Sequence, residues 1–198
     1  WSSYQPEEKG VVVAYSSIHG NTKYVAEHFA SILKGQGEEN VAVFDLARAD
    51  MAQAVADSFR YDALVLAGIT YDGGLMPCME DFLYHLKMKN FQNRYAAVIE
   101  NGSWGPVSGR LMKSYLENMK NITICEDMVT IRSVMKKADG QALEKLADKS
   151  QLKELLDECA GYQKEEYTPA TWEVFAPILE KAQGVYDNVD ATQEEVNA

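Results

Sequence analysis

Ser17, His19, Asn21 and Thr22 stand within six residues of one another, around the single glycine Gly20. Such a set suits the capture of an anion, because hydroxyls and an amide donate hydrogen bonds without bringing a fixed charge. The residues before them, Val11-Val12-Val13-Ala14-Tyr15, are mostly β-branched or aromatic and too few for a helix, so they read as a buried strand. From Thr22 onward Val25, Ala26, Phe29, Ala30, Ile32 and Leu33 recur at the spacing of one helix face. A strand that stops in small polar residues and turns at once into a helix leaves the first helical N–H groups without internal partners, at the positive end of the dipole. The chain has no GxxxxGK[ST] and no GxGxxG, so neither a nucleoside triphosphate loop nor a dinucleotide turn is indicated. A phosphate monoester held by neutral donors is the better reading.

Two further loops accompany this one. After the continuous apolar run Ala63–Ala67, the mark of a strand covered on both faces, comes Gly68-Ile69-Thr70-Tyr71-Asp72-Gly73-Gly74-Leu75-Met76-Pro77; after Tyr95–Ile99 comes Glu100-Asn101-Gly102-Ser103-Trp104-Gly105-Pro106. Each offers one aromatic, Tyr71 or Trp104, among glycines that let backbone approach a flat ring. The elements that must position these loops follow in order. Val41–Asp45 is a strand after the Gly35-Gln36-Gly37 break, and Ala49–Phe59 a short helix. Pro77 sits in the first turn of a helix running to about Met88, Ser108–Met119 is helical, Ile122–Cys125 is a strand, and Asp139 caps a helix beginning at Gln141. Five strands alternating with five helices predict an α/β, doubly wound, five-stranded parallel sheet built through right-handed crossovers.

The three loops together resemble those of a known family. Ser17-Ile18-His19-Gly20-Asn21-Thr22 resembles the S/T-x-[T/H/Y]-G-x-T loop with which flavodoxins grip the phosphate of FMN. Thr70 to Pro77 is similar to the T-[Y/H]-x-x-G-[L/I]-[M/L]-P loop of the flavodoxin-like domain of flavodiiron proteins, and Asn101-Gly102-Ser103-Trp104-Gly105 to that family's G-S-[Y/W]-G loop. Ile69 stands where the family usually has proline, and Pro106-Val107 replaces its W-S pair, which alters the fine shape of the flavin rim. The resemblance implies a flavodoxin-like sheet of order 2-1-3-4-5 with its ligand at the switch between strands one and three; flavodoxin is itself an instance from which that rule is drawn. It implies FMN as cofactor: Ser17 to Thr22 on the phosphate, Thr70 and Asn101 on the ribityl chain, Tyr71 and Trp104 flanking the ring. Backbone of Asp72, Gly73, Gly74, Gly102, Ser103 and Gly105 completes the rim.

What the same resemblance implies about partners is equally definite. Flavodiiron proteins pass electrons from a rubredoxin-type donor through FMN to iron, and reduce oxygen or nitric oxide. Their iron lies in a preceding metallo-β-lactamase-like domain with an H-x-E-x-D-H cluster. Here His19, His28 and His85 are the three histidines and none lies in such a cluster, so no metal ligand and no catalytic residue is assigned. The chain reads as the flavin half, an electron carrier whose partners are the diiron domain of the same parent protein and the rubredoxin-type donor, with a homodimer admitted. Two alternatives stay open: a stand-alone NAD(P)H-dependent flavin or quinone reductase, and a flavodoxin-like interaction module that has lost FMN.

Composition bounds the rest. The formal net charge of −11 argues against nucleic acid, and no run of eighteen apolar residues exists to span a membrane. Cys78, Cys125 and Cys159 are odd in number and share no close spacing, which fits a reducing, cytoplasmic compartment. Residues 1–9 read as a linker, 10–149 as the flavodoxin-like domain and 150–198 as an extension. From Ser150 on there are eleven carboxylates against three lysines. In that extension Leu152, Leu155, Leu156 and Cys159 give a helix face, and Gly161 and Glu165–Pro169 a turn with Thr168 as cap. Trp172, Phe175, Ile178 and Leu179 give an apolar stripe that Pro177 should kink or loosen. Tyr167–Trp172 and Ala191–Val196, where Thr192–Glu195 opens like a third helix, resemble a FIVAR module, so a C-terminal helical hairpin, incomplete at its end, is expected.

Overall fold

β-branched runs covered on both faces make the centre of the molecule. A computed structural model describes residues 3–160, 169–188, 191 and 196. In chain order the elements are β1 (Glu8–Tyr15), α1 (Asn21–Gly35), β2 (Val41–Asp45), α2 (Met51–Arg60), β3 (Tyr61–Tyr71), β4 (Gly74–Leu75), α3 (Pro77–Met88), β5 (Gln92–Asn101), α4 (Ser108–Glu117), β6 (Lys120–Ile131), α5 (Lys137–Ala160) and α6 (Pro169–Asp187). The sheet order is β2-β1-β3-β5-β6 with every pair parallel, and β4 folds back antiparallel on the end of β3. This is the expected doubly wound order with one small hairpin added. The chain divides into two units, Trp1–Leu146 and Ala147–Ala198.

Side-chain alternation sorts the strands between two layers. Val12, Ala14, Leu64, Leu66, Ala96 and Val98 share one core with Val55 and Phe59 of α2, Met79, Phe82 and Leu86 of α3, and Met112 and Leu116 of α4. Their odd-numbered neighbours Val13, Val65, Ala67, Ala97 and Ile99 are equally buried but lie outside that core. They face the layer of α1, which packs on β1, β2 and β3 and buries Val25, Ala26, Phe29 and Leu33. Helix ends follow local chemistry. Gly37, at φ +100°, closes α1 with Glu38 N–H bonding Leu33 C=O at 3.0 Å and Gly37 N–H bonding Lys34 C=O at 3.2 Å, a Schellman turn. Asp50 caps α2 by accepting from Ala52 N–H at 2.9 Å.

Several elements differ from the sequence reading. β1 begins at Glu8, inside the segment read as a linker. β6 is three times the length of Ile122–Cys125, because charged Glu126 and Asp127 hide its continuation. They sit in a bulge: pairing jumps from Ala96 opposite Ile124 to Val98 opposite Met128, leaving Cys125, Glu126 and Asp127 against Ala97. Asp139 lies in the first turn of α5, reaching back to accept from Lys136 N–H at 2.7 Å, so the helix starts at Lys137 and not Gln141. With no proline from Lys137 to Ala160, α5 runs unbroken past Ser150, and the helix expected around Leu152–Cys159 is its last part. α6 continues through Pro177. The turn at Gly161 and Glu165–Thr168 and the third helix at Thr192–Glu195 lie outside the described residues.

The amino end of the sheet is fastened by one buried cation. Arg94 on β5 is 3% exposed, and its guanidinium donates to five backbone carbonyls: Phe59 and Tyr61 at the α2–β3 junction, Gln92 and Asn93 beside it, and Tyr4 at 2.9 Å. Tyr4 C=O also accepts from Asn93 Nδ2 at 3.2 Å, so the entering chain is pinned to this end. A planar fork of five N–H donors is what this cluster of acceptors requires. Arg94→Ala should lower the unfolding free energy by about 3 kcal/mol, and Arg94→Lys by nearly as much, because one ammonium cannot serve five carbonyls; urea unfolding midpoints of the two variants measure this.

Candidate functional site at the carboxyl edge of the sheet

β1, β3, β5 and β6 end side by side at the opposite, carboxyl edge, and a pocket of about 210 Å³ opens there. Its first wall is Ser17, Ile18, His19, Asn21 and Thr22. Gly20 takes the helix N-cap at φ +85°, a left-handed conformation that L side chains rarely adopt. Its N–H donates to Ser17 Oγ at 3.1 Å, which curls the loop, and its C=O accepts from Tyr24 N–H at 2.9 Å. No side chain caps α1, so the first-turn N–H groups remain available to an incoming acceptor, at the positive end of a fifteen-residue helix. Thr22 and Ser16 are buried, and among the described residues Ser16 Oγ has no hydrogen-bond partner.

The other walls are Ile69 and Thr70 from β3, Asn101, Gly102 and Ser103 after β5, and Ser133 after β6. Side-chain bonds tie these loops together. Thr70 Oγ1 accepts from Val107 N–H at 2.9 Å and Ser108 N–H at 3.2 Å, standing in for the missing cap of α4. Both lone pairs of that hydroxyl are engaged, so toward a ligand Thr70 is a donor only. Asn101 pairs with the backbone of Ser133 in both directions: Nδ2 donates to Ser133 C=O at 2.9 Å and Oδ1 accepts from Ser133 N–H at 3.0 Å. This holds Ser133 at φ +68°. One residue earlier, buried Glu100 accepts from Gly109 N–H and from Thr130 Oγ1, each at 2.8 Å. A Cβ on Gly102 would lie 3.0 Å from Pro106 Cβ, so this loop folds tightly on its own proline.

Of the residues singled out in the sequence, Ser17, Ile18, His19, Asn21, Thr22, Thr70, Asn101, Gly102 and Ser103 line the one pocket, with Gly20 shaping its wall. Tyr71, Asp72, Gly73, Gly74, Trp104 and Gly105 are not among its lining residues. Asp72 (φ +47°) and Gly73 (φ +74°) form the tip of the β3–β4 hairpin, positive φ at both positions being the type I′ pattern. Tyr71 is half exposed and Trp104 98% exposed. Ser133 and Ile69 join the site without having been assigned to it. Ser133 could be found only by carrying β6 through its bulge, where Met128, Val129 and Ile131 resume the apolar pattern.

A doubly wound parallel sheet with a polar pocket at its switch point, where β1 and β3 are neighbours, defines the class of protein. Within that class the fold is flavodoxin-like, and residues 12–103 match the family described as "Flavodoxin domain". Rubredoxin oxygen:oxidoreductase from Desulfovibrio gigas superposes with a TM-score of 0.69 at 20% identity, over 73% of this chain and 36% of that one. A flavo di-iron protein from Thermotoga maritima gives 0.64 at 22%, over 77% and 37%. Oxidised flavodoxin 1 from Bacillus cereus gives 0.62 at 19%, over 70% and 95%. The chain thus spans little more than a third of the two longer proteins and nearly all of the short one. No curated protein sequence matches it.

Two predictions test the local chemistry. Thr70→Val keeps the shape but removes the acceptor for two N–H groups; it should cost about 1–2 kcal/mol and speed hydrogen exchange at the Val107 and Ser108 amides. Tyr15, the buried last residue of β1, has its phenol pushed up from 10.0 to about 12, first by burial and then by the Asp45 and Glu27 carboxylates. The unfolded chain therefore loses this proton first. Stability should fall as pH rises from 10 toward 12, by of order 2 kcal/mol, and Tyr15→Phe should remove that part of the alkaline loss in urea unfolding.

Proposed function

We propose that the pocket binds FMN and that the chain is an electron-transfer domain. One observation carries this reading most: the uncapped first turn of α1, set behind a left-handed glycine, opens on a pocket whose lining residues include no carboxylate. The donors present suit the cofactor. Ser17 to Thr22 would hold the phosphate, Thr70 as an obligate donor and Ser103 would serve the ribityl hydroxyls, and Tyr71 and Trp104 on their exposed loops would flank the ring. Asn101 acts by holding the β6 loop, its carbonyl and one amide hydrogen being engaged with Ser133. FMN supplies reversible one- and two-electron transfer when bound; the protein binds and orients it, and excludes water from its phosphate.

The likeness to the rubredoxin oxygen:oxidoreductase and to the flavo di-iron protein supports a wider setting. In it, a rubredoxin-type carrier delivers electrons to this domain, and a diiron domain of the same parent protein takes them for reduction of oxygen or nitric oxide, in the cytoplasm. Residues 150–198 are read as a FIVAR-like helical extension on the resemblance of Tyr167–Trp172 and Ala191–Val196, and its apolar stripe on α6 includes the Trp172–Phe175 ring contact (centroids 5.7 Å apart). Titrating the FMN-free protein with FMN should quench flavin fluorescence and give a yellow complex, whereas riboflavin, lacking phosphate, should bind at least tenfold more weakly. Gly20→Ala, strained at its positive φ, should weaken FMN by roughly tenfold and leave riboflavin unchanged. Equal binding of the two flavins would refute the phosphate assignment, and no binding of either would refute the cofactor.

A further inference from the structure

The chain is acidic overall, with a net charge of −11, yet the edge that carries the pocket is not. The four rim segments, residues 16–23, 70–77, 101–110 and 131–137, hold the cations Lys23, Arg110, Arg132, Lys136 and Lys137 and the single carboxylate Asp72. Three of the five cations fall in residues 131–137, the β6–α5 connection, with no acidic residue among them. Arg132, Lys136 and Lys137 are all exposed, and among the described residues none forms an ion pair. The nearest carboxylate in sequence, Asp139, is engaged by the Lys136 backbone N–H.

The same loop is fixed to the pocket. Ser133 lines it and is clamped on both backbone polar groups by Asn101. The clamp joins two neighbouring loops, so Arg132 on one and Trp104 on the other are each held within a few residues of it. Trp104 is 98% exposed, with Ile18 (48%) and Tyr71 (41%) on the remaining rim loops. Large apolar side chains set among unpaired like charges are the anatomy of a recognition surface: the aromatics anchor and the charges steer and orient.

We propose that this rim, centred on Trp104 and the Arg132–Lys137 loop, is the docking surface for an acidic protein partner. Charge complementarity identifies the occupant: the rim segments carry five cations against one carboxylate in a chain of net charge −11, so an acidic partner is drawn to this edge. A protein is favoured over a nucleic acid because the rim segments hold only five cations and the chain as a whole, at −11, repels an extended polyanion. The proposal deepens the electron-transfer reading and rests on it only for what would cross the interface. The surface itself can be tested without the cofactor.

The test uses the full chain free of FMN. With Trp1→Phe and Trp172→Phe, Trp104 is the sole tryptophan, and its fluorescence is quenched at low salt by iodide or by caesium. A positive rim makes iodide the better quencher by roughly twofold despite the net negative charge, with the difference vanishing at high salt. In R132Q/K136Q/K137Q the preference should disappear. Amide shift mapping with poly-L-glutamate as probe should then perturb residues 102–105 and 131–137, and the triple variant should abolish the effect. Caesium quenching as well as iodide, or shifts scattered away from these loops, would overturn the proposal. So would stronger binding of a single-stranded oligonucleotide at the same residues. A separate FMN titration keeps the two ideas apart, since failure to bind FMN would remove the cofactor reading while leaving the quenching and mapping results to decide the surface.

Discussion

Parallel strands cannot be joined by tight turns, so the five parallel strands of this sheet all end at the same edge, and the chain must be brought back by helices. That constraint creates both the opportunity and the difficulty of the site. Four loops converge there, and each would be mobile if left alone. The structure resolves the difficulty with side chains that reach across: Thr70 caps the α4 helix from the end of β3, Asn101 clamps Ser133, and Glu100 joins Gly109 to Thr130. These bonds link the loops after β3, β5 and β6 to one another. The first loop is tied to β3 where Ser16 N–H donates to Ala67 C=O at 3.0 Å, and beyond that it is curled by Gly20 and Ser17, with its helix terminus uncapped.

The two ends of the sheet are therefore built on different principles. At the amino end each of the three guanidinium nitrogens of Arg94 donates to backbone carbonyls of this chain, so this end is knit to itself. At the carboxyl end several groups are half engaged. Thr70 has filled both acceptor sites and keeps its hydrogen, Ser16 Oγ is buried without a partner among the described residues, and the first turn of α1 has no side-chain cap. An unsatisfied buried polar group is costly, so the Ser16 hydroxyl, beside an uncapped helix start, points to this edge as the place for a ligand. The charge distribution agrees: an acidic chain gathers five of its cations on the rim loops.

The fold was legible in the sequence wherever burial is complete. Val11–Tyr15, Ala63–Ala67 and Tyr95–Ile99 are covered by helices on both faces, so their residues show unbroken apolarity, and Val41–Asp45 has the bounds the composition suggests. The edge strand β6 was legible only in its first part. A bulge can absorb Glu126 and Asp127 at an edge without exposing a hydrogen-bonding defect to the core, and periodicity gives no warning of it. The same fault hid the β6 loop, and with it Ser133 and the cationic segment. Asp139 was recognised as a capping residue but given the wrong side of the helix start, since an acid at the third helical position and one at the cap differ only in which N–H they meet.

By itself the sequence determined the first four helices, the central strands and the chemistry of three loops, because strand and helix periods and the needs of glycine, proline and hydroxyl residues are local properties. It also determined that these loops would share an edge, since alternating strands and helices force parallel order. Only the tertiary structure decided which of their groups are free. The sequence offered Thr70 and Asn101 as two contacts of one kind; folding makes Thr70 a donor into the pocket and Asn101 a clamp on Ser133, because each finds partners from loops more than thirty residues away. Hydrogen-bond demand is set by neighbours in space, and no local pattern records them.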